Sequence, residues 1–366
     1  MRIELDKEKF LHILELVGRV STKHVTLPVL QCVLLCIKKN KLFIKATNLE
    51  IGIEAILSIE GNDEEFNVAV PASTLLQFIS LIDDVKITIY KEDDVLVVEG
   101  KKARTNIKTF AFDEFPNIHK LKDKEQVINS KLFSLGIKTS AFACSQSSIK
   151  PELGSVYIFQ KKEHSLTFVA TDSFRLIEKT VPQKGIILNN EILIPQKNAL
   201  ELSRICDTHE GDPIFQVNEN QCALTFKDNL YITSRLTNGS FPDYEQIIPK
   251  EFISHVTILK QDLIQAFKRS SIFLNKFQQV SLNINKNNLT ISSNNSDIGT
   301  TTESIKATTE GEELTLSFNQ RYISDCLSHF NDDSIILHFA GIGRPLVITG
   351  INDVSTRYLV MPMNRN

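Results

Sequence analysis

The stretch LTFVATDSFRL, Leu166 to Leu176, decides how this chain is read. It runs like a strand and then crowds Asp172, Ser173, Phe174 and Arg175 into consecutive positions. Two other stretches share its first half. LFIKATN begins at Leu42 and LTISSNN at Leu289, so the leading leucines lie 124 and 123 residues apart. A period held over three copies marks an internal repeat.

The flanks repeat as well. MRIELDKEKFLHILELVGRV, VINSKLFSLGIKTSAFACSQ and VTILKQDLIQAFKRSSIFLN each read as a short strand followed by an amphipathic helix. Phe10, Ile13, Leu14, Val17 and Val20 keep the 3.6-residue period in the first. Phe133, Ile137, Ala141 and Cys144 keep it in the second; Leu263, Phe267, Ser270 and Leu274 follow it less purely in the third. Pro71, Pro195 and Asn319 open a second helix, 124 residues apart each time. Proline suits a first helical turn because its missing N–H had no partner there. Each copy closes on a hairpin-like pair such as VKITIYKEDDVLVVEG. The fold class expected is α+β. Three repeated domains, 1–124, 125–250 and 251–366, each hold two helices and several antiparallel strands. Their connectors lie near KLKDKEQ and IIPKEFISH.

At 366 residues the chain exceeds one ordinary core. Its 42% apolar and 23% charged content fits a folded soluble protein. No apolar run reaches the roughly 18 residues that span a bilayer. The charged N-terminus has no apolar signal region, so the cytoplasm is the compartment expected. The six cysteines form no CxxC pair and have no histidine at zinc-ligand spacing. They read as buried, inert thiols, and no metal or cofactor is expected.

A net charge of −3 conceals a segregation. The six helical segments and their flanks total +9, which leaves −12 for everything else. Such helices could face a polyanion through diffuse, salt-sensitive electrostatics, or could simply carry solubilising lysines. No helix has the look of a base reader.

Enzyme signatures are absent. There is no GxxxxGK[ST] or GxGxxG loop, no GxSxG elbow and no HExxH pair. Asp172 and Arg175 could be a catalytic pair, but a turn held by a salt bridge is the commoner use of such neighbours. A sequence-specific DNA regulator is the other rival.

The three repeats, together with TLPVL (Thr26 to Leu30), ATDSFRL, NGSFPDYEQIIP (Asn238 to Pro249) and YLVMPM (Tyr358 to Met363), make the whole chain resemble the bacterial DNA sliding clamps, the beta subunits of DNA polymerase III. The resemblance implies a head-to-tail, ring-shaped homodimer around double-stranded DNA, with helices lining the hole and sheets outside. Such a ring holds DNA by topology, so weak, diffuse charge suffices. It also implies a groove for short peptides of the polymerase, the clamp loader and repair proteins. Leu153, Thr171, Ser173, Phe174, Arg175, Leu176, Pro242, Ile247, Val360, Met361, Pro362 and Met363 would form it, with Asn319 and Tyr322 at its edge. Methionine adapts to varied partners, and two of the chain's three lie in its last six residues.

DNA-facing residues expected from the resemblance are Arg19, Lys23, Lys138, Gln146, Lys150, Lys197, Arg204, Lys268, Arg269 and Lys276, with 146–150 as a projecting loop. Ring closure would set the strand around Ile107 against Ile272 and Phe273 of a second copy, with Arg104 pairing Glu303. The chain departs from many members at Ser173 and Phe174, where a small residue and histidine are usual. It also departs in its Asn364, Arg365, Asn366 tail, at Thr105, and at Ser73 and Thr74.

Overall fold

The computed structural model describes residues 2–21, 26–60 and 65–363. Among them are six α-helices: α1 Lys7–Val17, α2 Ala72–Ser80, α3 Ser130–Ala141, α4 Gln196–Thr208, α5 Lys260–Ser270 and α6 Gln320–Leu327. They begin within a residue of where the repeat predicts. Asp6 caps α1 by accepting from Lys9 N at 2.9 Å, and Asn319 caps α6 by accepting from Arg321 N at 3.0 Å. Pro71 and Pro195 sit one place earlier than expected: each ends a strand, and the helix starts at the next residue. Helix α1 stops at Val17, and Gly18–Val20 continues as a tighter 3-10 turn that still buries Val20.

The chain forms two compact units, Met1–Lys131 with Glu201–Leu236, and Leu132–Leu200 with Thr237–Asn366. The first unit holds an eight-stranded antiparallel sheet. Its order is Phe66–Pro71, Cys32–Lys38, Lys41–Thr47, Ile51–Ser58, Leu230–Arg235, Gln221–Thr225, Ile214–Val217 and Gln126–Val127. Its other sheet runs Ile3–Asp6, Lys86–Glu92, Val95–Glu99, Arg104–Lys108. The second unit's larger sheet has nine strands, ordered Ile192–Pro195, Ser155–Phe159, Ser165–Thr171, Arg175–Pro182, Thr356–Val360, Leu346–Gly350, Ser334–Phe339, Ser254–Leu259 and Thr308–Gly311. Its smaller sheet runs Gly299–Lys306, Asn288–Asn295, Gln279–Asn285, Thr315–Asn319.

In each large sheet, one strand pair joins consecutive repeats. Ile51–Ser58 pairs with Leu230–Arg235, and Arg175–Pro182 pairs with Thr356–Val360. The compact units therefore do not coincide with the sequence repeats.

Ser165–Thr171 is buried along its whole length, unlike a strand with one wet face. Successive side chains alternate. Phe168 faces α3, where its ring meets Phe133 edge-on at 5.8 Å. Val169 faces the opposite layer with Leu176, Tyr244, Val347 and Leu359. The cover on that side is the segment after Asn238. Phe241 stacks on Tyr157 at 4.6 Å and 3°, and the Tyr244 hydroxyl donates to Glu178 at 2.5 Å.

Gly136 lets α3 approach this sheet. A Cβ there would lie 2.4 Å from the Phe168 ring. Gly136→Ala should therefore destabilise the second unit by about 1–3 kcal/mol, although alanine is the better helix former. Thermal melting checks this, and a gain in stability would show that the ring moves aside freely.

All six cysteines are free, and only Cys36 is less than fully buried. Burial pushes the Cys32, Cys144, Cys206 and Cys222 thiols up to about 12, which suits inert packing. Among the described residues, no helix is long and apolar enough to cross a membrane.

Candidate functional site

The turn between the strands Ser165–Thr171 and Arg175–Pro182 is built by its own side chains. Thr171 Oγ1 donates to Arg175 O at 2.7 Å and accepts from Ser173 N at 3.1 Å. Asp172 Oδ1 accepts from Phe174 N and Arg175 N, both at 3.0 Å. Ser173 is thereby held at φ +76°, a conformation that L residues rarely adopt.

Arg175 ties the turn down. It reaches Asp172 at 2.9 Å, Asp325 of α6 at 2.6 Å and the Phe142 carbonyl at 3.1 Å. Its guanidinium also lies 4.9 Å from the Tyr322 ring centroid. Burial works against its charge, but Tyr358, Asp325 and Asp172 outweigh that and raise its pKa above the usual arginine value. Every strong donor of Arg175 is thus engaged inside the fold. The pair serves a turn and a salt bridge.

Beside the turn lies a groove with about 260 Å³ of open space, lined by Thr171, Ser173, Phe174, Arg175, Leu176, Ile247, Leu359 and Met361. Phe174 is 59% exposed, Ile247 49% and Met361 38%. Three large apolar side chains left uncovered around one depression fit a docking site better than scattered surface residues do. Leu176 and Leu359 are register partners and form its floor. The rim is pinned where Met361 N donates to Phe174 O at 2.8 Å.

Several expected members stand elsewhere. Val360 is 0% exposed and turns to the other sheet face with Tyr358, so Leu359, missed in the sequence reading, takes its place. Strand alternation could have flagged the exchange. Pro242, Pro362 and Met363 do not line the groove, although Met363 N fixes the tail to Ser317 O at 2.8 Å. Leu153 is buried, and its carbonyl accepts from Ser145 N. Asn319 caps α6, while Tyr322 stacks 6.3 Å from Phe174 and extends the aromatic rim. Asn364, Arg365 and Asn366 lie outside the described residues.

The basic candidates differ in how much charge they offer. Lys150, Lys197 and Lys268 are exposed, with no ion pair among the described residues. Lys138 is exposed on α3, and Lys276 lies 5.1 Å from the Phe277 ring centroid. The 146–150 segment is an exposed loop whose Gln146 binds Gln196 at 3.0 Å. Three arginines have less to give than their charge suggests. Arg19 and Arg204 share Glu201, and Arg269 is paired with Glu303. Lys23 lies outside the described residues.

At the expected interface, Ile107 is buried in its own sheet, so that strand can offer its edge but not this side chain. Arg104 binds Glu92 at 2.9 Å. An Arg104–Glu303 pair between copies would require both existing pairs to exchange. Ile272 is exposed and Phe273 half-buried. No group of three or more His, Cys, Asp or Glu among the described residues could hold a metal.

Comparison with known proteins fits this geometry. Models of the DNA polymerase III beta subunit match in three consecutive parts: the N-terminal domain over residues 1–119, the central domain over 127–243 and the C-terminal domain over 245–364. The chain belongs to the DNA polymerase III beta subunit family. It is similar to the beta sliding clamps of Haemophilus influenzae, 28% identical, and Vibrio cholerae, 26% identical, with 99% of this chain and 100% of each relative covered. Among solved structures of the family, a sliding clamp from Pseudomonas aeruginosa bound to griselimycin aligns at a TM-score of 0.93 and 25% identity, with both chains fully covered. The beta subunit of Thermotoga maritima aligns at 0.94 with 22% identity, again over the whole of both chains, a likeness of fold. The chain thus carries three clamp domains of this family.

Proposed function

We infer that the chain is the protomer of a DNA polymerase processivity clamp, a homodimeric ring that encircles duplex DNA. One observation supports closure beyond the likeness to relatives. In each large sheet, the strand following the ATN or ATD turn of one repeat pairs with the last strand of the next repeat. The corresponding strand of the third repeat is Gly299–Lys306, and the last strand of the first is Arg104–Lys108. Both are outer strands of four-stranded sheets. Unpaired edges need cover, and the same pairing between two copies would join these sheets as the internal ones are joined. A head-to-tail contact of this type closes into a ring when the rotation allows.

On this reading the domains are 1–124, 125–250 and 251–366, and the lysine-bearing helices face the DNA. The groove beside Thr171 takes an extended peptide of the polymerase, the clamp loader or a repair protein, with apolar side chains supplying affinity. The protein acts without catalysis, at DNA in the bacterial cytoplasm, and needs no cofactor.

Retention tests the ring. The loaded protein should stay on closed circular DNA and leave linear DNA from its ends. Equal loss from both forms would refute encirclement. Lys268→Glu should speed the loss and make its salt dependence shallower, because fewer counterions are released on binding, while leaving peptide affinity unchanged. It is cleaner than a change at Arg269, which would also free Glu303. Met361→Asp should weaken an apolar partner peptide at least about tenfold without lowering the melting temperature. Undiminished affinity, read by fluorescence anisotropy, would move the peptide site elsewhere.

A further inference from the structure

The first repeat builds the same turn. Thr47 Oγ1 donates to Ile51 O at 2.9 Å and accepts from Leu49 N at 3.0 Å. Asn48 Oδ1 accepts from Glu50 N at 3.0 Å and Ile51 N at 2.9 Å. Leu49 stands at φ +76°, the value found at Ser173, 124 residues later. The rim is pinned in the same way: Arg235 N donates to Glu50 O at 2.7 Å, as Met361 N does to Phe174 O. The covering segment also has its counterpart. FPNI at 115–118 crosses this sheet as FPDY at 241–244 crosses the other. The buried carboxylate of Glu54 takes Lys120 at 2.6 Å and Lys45 at 2.7 Å, where Glu178 takes Tyr244 and Lys161.

A second groove results, with about 710 Å³ of open space, whose lining includes Leu49, Ile51, Pro116, Ile118, His119 and Arg235. It is wider than the groove beside Thr171, and its chemistry differs at matched positions. Gly52 replaces Leu176, and Ile118 settles over it, 3.2 Å from where a Cβ would stand. Leu49 replaces Ser173 and is 39% exposed. Arg235 replaces Met361; it is exposed and has no ion pair among the described residues.

We propose that this groove is a second docking site, for an extended acidic–aliphatic peptide. An aliphatic side chain would rest on Leu49 and Ile118, and a carboxylate would meet the Arg235 guanidinium in a charge-assisted pair. The proposal rests on reading the Thr171 groove as a peptide site, since it extends that role by structural equivalence. The two grooves then select different partners, one through methionine and phenylalanine, the other through arginine.

The test uses the full-length protein and two fluorescein-labelled octapeptides with blocked ends, one alternating leucine and aspartate, the other leucine and asparagine. In anisotropy titrations the aspartate peptide should bind at least tenfold more tightly than the asparagine peptide. Arg235→Glu should remove that advantage, and Met361→Asp should leave it unchanged within twofold. Arg235 anchors the rim through its backbone, so the variant should melt like the parent. Absence of binding, binding that survives Arg235→Glu, or binding abolished by Met361→Asp overturns the proposal. An alternating leucine–serine octapeptide, read against Met361→Asp, reports separately on the Thr171 groove and shows which of the two readings has failed.

Discussion

Arg175→Ala lowers the stability of the second unit by about 3 kcal/mol, the lower end of the cost of breaking a buried ion pair. The expectation follows from what remains behind. Asp172 and Asp325 lose the cation between them, and the Phe142 carbonyl loses its donor. The Arg175 side chain is only 12% exposed, so water can replace little of this. A loss of that size in a unit of this length lowers the melting midpoint by about 6–12 °C. Arg175→Lys should recover part of the loss, because an ammonium keeps the charge but cannot fork to two carboxylates and a carbonyl. Peptide affinity should fall as well, since Phe174 and Ser173 lose the strut that holds their turn. A variant melting within 2 °C of the parent would mean that Arg175 is a surface residue in effect.

The second large effect concerns association. Ile272→Asp should weaken the dimer about 100-fold, the scale of a hot-spot residue in an interface. Ile272 is 63% exposed and Ile298 62%. The neighbouring Phe273 ring packs over Gly299, the first residue of the outer strand Gly299–Lys306. An exposed apolar pair beside an unpaired strand edge is costly to leave in water. A carboxylate there would be desolvated on closure without a partner. Sedimentation at several concentrations reads the shift toward monomer, and retention on circular DNA should fall with it. The groove beside Thr171 shares no residue with this edge, so the affinity of the apolar peptide should hold. An unchanged dimer would place the contact between copies on another surface.

Much of the fold was legible beforehand. Helix positions and the three repeats follow from local periodicity, which depends on residues a few places apart. The caps at Asp6 and Asn319 are local too. The turn at 170–176 was readable because its hydrogen bonds close within five residues. The groove was half legible. Residues on the turn itself fell into place, whereas the tail did not, because one step along a strand reverses which face a side chain takes. Val360 and Leu359 exchanged roles for that reason.

The partners of the arginines were not legible. Arg175 meets Asp325 across 150 positions, and Arg269 meets Glu303 across 34. Composition counts such charges as free, but the fold neutralises them. The second groove was hidden in the same way: its turn is spelled ATNLEI rather than ATDSFR, so identity fades where hydrogen bonding persists.

By itself, then, the order of residues determined three copies of one α+β domain, the helix starts to within a residue, and membership of the clamp family. The tertiary structure alone decided that strands of successive repeats join into continuous sheets, which side chains reach each groove, and which edges are left to find a partner. The physical reason is range. Helix periodicity and turn chemistry act over a few residues and leave a mark in the sequence, whereas strand pairing across some 180 residues leaves none until the sheet is assembled.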